Sequence, residues 1–167
     1  MQLISPSYKI LGSPPSFDTC SRDRFDNATL ELDKAVRLLK GIAAAGEHLH
    51  SRNISHGDMY AHNILVDPHG HAILGDFGAA NVFYPQSQVA RQADLFLRLE
   101  SLAFAHLVQD ILGLVRALPV GRAMLGNMVV DEATAVLEDV YKNCATSDVS
   151  KRYSFEDIVS KLSGIKL

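Results

Sequence analysis

The sequence predicts a mainly α fold with a small β-hairpin. Two observations lead there. Apolar or small residues recur at the one-face spacing of an amphipathic helix, most clearly at positions 32, 35, 36, 39, 42, 43, 46 and 49. Two short apolar runs, Asn63 to Val66 and His71 to Gly75, flank Asp67-Pro68-His69-Gly70, where Pro in second and Gly in fourth place suit a type I turn.

Residues 1–28 open with the apolar run Met1 to Ile4, expected as a strand. They continue through Pro6, Gly12, Pro14, Pro15, Asp18, Asp23 and Asp26 as an irregular connector. The first helix follows, with Thr29 placed to cap it and Asn53 suited to a left-handed stop. After the hairpin, Asp94 to Val115 is apolar on nearly every side, which predicts a central, largely buried helix ended by Pro119 and Gly121. Ala133, Val136, Leu137, Val140, Tyr141 and Cys144 form another helical stripe, with Asp131 and Glu132 at its positive N-terminal end. Ser154 and Asp157 have the spacing of a capping box before a last helix through Ile158, Val159 and Leu162.

The chain has 167 residues, 47% of them hydrophobic and 21% charged, with a formal net charge of −3. That is enough to bury one core without a disulfide or metal. The mild acidity and the lack of any block of basic residues argue against nucleic acid as a partner. The proline-broken N-terminus does not read as a signal peptide, and no long uninterrupted apolar run exists. A soluble, cytoplasmic protein with no membrane contact is expected, in line with two widely separated cysteines, Cys20 and Cys144. Six of the seven histidines lie between His48 and His71, but no cysteine is near them to complete a zinc site. Helix-end and turn roles are expected for most of them.

Chemistry concentrates in His56-Gly57-Asp58-Met59-Tyr60-Ala61-His62-Asn63, followed across the hairpin by Gly75-Asp76-Phe77-Gly78. Taken singly, Asp58 and Asp76 could merely cap turns. Together the two strings resemble the catalytic core of the protein kinase superfamily, H-x-D-x-x-x-x-N and then D-F-G, with Asp76 following Asp58 by 18 positions. The resemblance implies Asp58 as catalytic base, Asn63 and Asp76 as Mg²⁺ ligands, and ATP as phosphate donor. It also implies that His56 and Phe77 pack beneath the site, that Leu65 lies under the adenine ring, and that Gln2 and Ile4 contact adenine from a hinge strand. Glu100 falls where an Asp usually anchors the catalytic loop, and Arg152-Tyr153-Ser154-Phe155 resembles R-P-S-F near the end of the domain.

On this resemblance, residues 1–28 are a hinge strand and connector and residues 29–167 a kinase-like C-terminal lobe, closest to bacterial Ser/Thr kinases of eukaryotic type. The expected function is Mg-ATP-dependent phosphate transfer to a protein Ser/Thr hydroxyl. The departures matter too. Gly57 replaces the Arg that pairs with a phosphorylated activation segment, Tyr60 replaces the catalytic-loop Lys, and the segment from Asp76 to Glu100 is short, with no A-P-E. No G-x-G-x-x-G occurs, and Lys9, Lys34 and Lys40 sit in no V-A-I-K context. The small lobe is therefore expected to be absent from this chain, leaving an exposed site for it or another chain to cover. Alternatives are a small-molecule kinase resembling aminoglycoside and choline kinases, and a non-catalytic pseudokinase that only binds partners.

Overall fold

The structure is a computed structural model that describes residues 4–18, 20, 22–25, 28–83, 90–115, 124–125 and 128–167. Helix α1 spans Leu32–His50. Its inward residues Ala35, Val36, Leu39, Ile42 and Ala43 are fully buried, as their spacing requires. The N-cap is Glu31 rather than Thr29. Leu30 donates its N–H to the Leu114 carbonyl at 2.8 Å and bridges Val115, which keeps the chain extended there and delays the first turn. Asn53 stands at φ 58°, the left-handed stop its position predicts.

The hairpin forms from β3 (Ile64–Val66) and β4 (Ala72–Leu74), with Leu65 opposite Ile73. At its turn the Gly70 N–H donates to the Asp67 carbonyl at 3.0 Å. The Asp67 carboxylate accepts from the His69 and His71 amides at 2.8 and 2.9 Å and meets the His71 ring at 2.9 Å.

Among the described residues three pairings lie outside the sequence expectation, two of them next to the hairpin and the motifs. β1 (Lys9–Ile10) joins β3 antiparallel, with Ile10 opposite Leu65, inside the stretch expected to be irregular. The strand expected at Met1 to Ile4 is not where this strand lies: Ile4 belongs to no strand, and Met1 to Leu3 fall outside the described residues. Two strand residues among prolines show no periodicity, and the open edge of β3 selects them instead. β2 (Ile54–Ser55) likewise pairs antiparallel with β5 (Asn81–Val82), bringing together the segments just before and just after the two motifs.

Helix α2 spans Ala90–Leu114, starting earlier than the apolar pattern indicated. Its second half is central, with Phe104, Ala105, Val108 and Ile111 fully buried, whereas Leu95, Phe96 and Leu99 in its first half remain exposed. The expected stops Pro119 and Gly121 lie outside the described residues. A short pairing of β6 (Met124–Leu125) with β7 (Met128–Val129) leads into α3 (Val130–Cys144). Helix α4 spans Phe155–Ser163 and carries the predicted capping box: Ser154 Oγ accepts from the Asp157 N–H at 3.2 Å and Asp157 Oδ2 accepts from the Ser154 N–H at 2.9 Å.

Helix α1 packs on α4 and β4, and α2 packs on α3. The α1–α4 approach runs over Gly46, where a Cβ would stand 2.4 Å from the Phe155 ring. The fold is thus mostly helical with small antiparallel sheets, the β3–β4 hairpin lying along α1, with Gly70 beside Lys34 and Ala72 beside Gly41. Among the described residues no helix is long and apolar enough to cross a membrane.

Candidate active site

From β2 the chain enters His56, Gly57 and Asp58, then one 3-10 turn at Ala61–Asn63. Gly57 has φ 80°, and a Cβ there would meet the Ala79 carbonyl oxygen at 2.4 Å. Both facts demand glycine, which explains physically why no Arg stands at this position.

The loop hangs on Glu100 of α2, which is 6% exposed. Its carboxylate accepts from the Gly57 N–H at 2.7 Å and the His56 N–H at 3.1 Å, and meets His50 Nε2 at 2.7 Å. Burial pushes the Glu100 carboxyl up, but hydrogen bonds from His50, Gly57 and His56 outweigh it and hold the group below the ordinary glutamate value. One buried carboxylate therefore joins α1, α2 and the loop.

His56 is fully buried and links the two motifs. Its Nδ1 accepts from the Asp58 N–H at 3.3 Å and its Nε2 lies 2.7 Å from the Gly75 carbonyl, a pattern that assigns the hydrogen to Nε2. The Phe77 ring packs edge-on against it at 4.8 Å. Phe77 is nevertheless 52% exposed, so it flanks the site rather than lying in the core as expected.

Asn63 Nδ2 donates to the Asp58 carbonyl at 2.9 Å and to Asp58 Oδ2 at 2.8 Å, so two of the three predicted catalytic residues touch directly. Asp76 follows β4 and Asn63 precedes β3. The pairing of Ile64 with Leu74 and the 2.8 Å bond from the Gly75 N–H to the Asn63 carbonyl bring them out at the same end of the hairpin. Asp76 has φ 52° and is exposed, with Oδ1 accepting from the Gly78 N–H at 3.1 Å. The donor set suits Mg²⁺: with Asn63 Nδ2 committed to Asp58, its carbonyl oxygen and the Asp76 carboxylate are hard oxygen donors, and Mg²⁺ is commonly held by only one or two protein groups.

Of the predicted nucleotide contacts, Leu65 sits partly buried in mid-sheet, Ile4 is exposed and in no strand, and Gln2 lies outside the described residues. Arg152 is buried and donates from Nε to the Thr146 carbonyl at 2.9 Å, and its Nη1 finds no hydrogen-bond partner among the described residues. Sequence reasoning missed Asp23 as a site neighbour. It was one polar residue among several in a connector, and only its burial against His62 marks it out.

The protein kinase domain family matches residues 16–102, more than half of the chain. The chain belongs to the protein kinase family. The match includes Asp58, Asn63, Asp76 and Glu100. Curated relatives agree. The serine/threonine-protein kinase PSK2 of Saccharomyces cerevisiae is 35% identical over 77 residues, 44% of this chain and 7% of the relative. The Arabidopsis thaliana serine/threonine-protein kinase AtPK1/AtPK6 is 48% identical over 42 residues, 25% of this chain and 9% of the relative. A discoidin domain-containing receptor tyrosine kinase of Caenorhabditis elegans is 29% identical over 82 residues, 49% of this chain and 10% of the relative. This kinase-family chain thus aligns with between 7% and 10% of the length of these three proteins.

Proposed function

We propose that the complete protein is a Mg-ATP-dependent protein kinase that phosphorylates Ser/Thr hydroxyls, and that this chain supplies its catalytic C-terminal lobe. The observation that carries the reading is the Asp58–Asn63 contact on a loop tied to buried Glu100, with Asp76 at the same end of the hairpin. Among the described residues Asp58 Oδ1 takes no hydrogen bond, so it is open to an incoming hydroxyl. In the proposed reaction that hydroxyl oxygen attacks the γ-phosphorus of ATP, the bond to the bridging oxygen breaks, ADP leaves, and Asp58 takes the hydroxyl proton. Asn63 and Asp76 would hold Mg²⁺, which neutralises charge on the phosphates. The Ser/Thr kinase names among the relatives support the acceptor class.

A second reading, a small-molecule kinase, is favoured by Gly57 and the short segment between Asp76 and Glu100. Phosphate transfer from labelled ATP by the full-length protein to protein and to small hydroxyl acceptors tests both. Asp58→Asn should lower the rate by about 10²–10⁴-fold while the protein stays folded, and Asp76→Asn should raise the Mg²⁺ concentration required. Wild-type rates in both variants would refute the site, and no transfer by the wild type to any acceptor would favour the partner-binding pseudokinase.

A further inference from the structure

Asp23 and His62 flank the motif residues without belonging to the proposed chemistry. Asp23 comes from the segment ahead of α1, and its side chain is 2% exposed. A buried carboxylate needs partners, and both its oxygens are committed to one residue. Oδ1 lies 2.8 Å from His62 Nδ1, and Oδ2 accepts the His62 backbone N–H at 3.2 Å. An ionised carboxylate only accepts, so Nδ1 carries the hydrogen. His62 is thereby gripped at ring and backbone together. It sits in the 3-10 turn immediately before Asn63, its ring stacked on Tyr60 with centroids 5.8 Å apart and planes 17° apart. Its Nε2 edge stands 3.8 Å from Asp58 Oδ2, the oxygen that Asn63 Nδ2 contacts at 2.8 Å.

We propose that Asp23 and His62 form a positioning pair that sets the 3-10 turn so that Asn63 meets Asp58. The inference rests on reading Asp58 and Asn63 as the transfer site. A buried, two-point, charge-assisted grip is stiff, and the residue it holds is next in the same turn to the group it would aim. A sub-ångström error there propagates directly to Asn63.

Two readouts separate this pair from a merely stabilising contact. In the full-length protein, held where circular dichroism shows every variant folded, Asp23→Ala and His62→Leu should lower kcat by about ten- to a hundred-fold and leave KM for ATP within about twofold. His62→Asn, whose side-chain N–H stands in for Nδ1–H and keeps the Asp23 bond, should restore most of the rate. The second readout needs no activity. The Asn63 side-chain amide resonance in a ¹⁵N spectrum should move towards that of a free amide, and exchange faster, in Asp23→Ala and His62→Leu but not in His62→Asn. An unmoved Asn63 resonance in both of the first two variants overturns the proposal whatever the activity. A wild type that transfers no phosphate while its Asn63 resonance responds as expected refutes the kinase reading and leaves the positioning pair intact.

Discussion

The two cysteines show how one residue type takes opposite characters from its surroundings. Cys144 ends α3 fully buried. Burial pushes its thiol up to about 12, more than the nearby Arg152 charge pulls it down. The thiolate is the reactive form, so Cys144 is inert in the folded chain. Cys20 is exposed. Alkylation by iodoacetamide at about pH 8 should modify one cysteine in the native protein and both in denaturant. Labelling of both under native conditions would mean that α3 does not pack as described. The same contrast governs the aspartates: Asp58 is held by Asn63, and the hydrogen bond of the Asp76 carboxylate among the described residues is with its own turn, from the Gly78 N–H.

At the scale of elements, the α1–α4 crossing depends on a missing side chain. Phe155 is buried and packs edge-on against Phe104 at 5.4 Å and His50 at 4.7 Å, so its ring has no room to leave Gly46. Gly46→Ala gains about 1 kcal/mol of helix propensity and overpacks the crossing by about 1–3 kcal/mol. A net loss of about 1 kcal/mol is expected, with Tm lowered by roughly 2–4 °C. An equal or higher Tm in differential scanning calorimetry would show that α4 moves away at little cost. His50 sits in the same α1 turn region and reaches Glu100, so this crossing and the loop from His56 to Asn63 share one end of α1.

Across the whole molecule, acid should loosen the fold through several carboxylates at once. Asp67 is held at about 2: burial opposes this, while hydrogen bonds from the His71 side chain and the His71 and His69 amides dominate. Glu100 is lowered by its three donors against burial, Asp148 by bonds to Ser150 and Lys151, and Asp157 by its capping bonds to Ser154. A carboxyl whose folded pKa lies below its unfolded one adds stability above the unfolded value and loses it as pH falls through the folded value. Tm should therefore hold near neutrality and fall once pH drops below about 4, the ordinary carboxylate range. A Tm that stays flat from pH 5 down to about 2.5 would contradict these assignments.

What the sequence determined by itself is what local rules reach. Helical spacing located α1, α3 and α4, the Asp-Pro-His-Gly turn located the hairpin, and the order His56, Asp58, Asn63, Asp76 located the candidate site. These depend on contacts within a few residues, which periodicity and spacing express. Tertiary structure alone decided the rest. It placed β1 on the edge of β3, paired β2 with β5, moved the start of α1 past Thr29, required glycine at position 57 beside Ala79, and buried Asp23 against His62. The physical reason is sequence distance. A two-residue strand or a lone aspartate carries no repeat of its own, and its conformation is set by whichever distant edge or imidazole the packed chain presents to it.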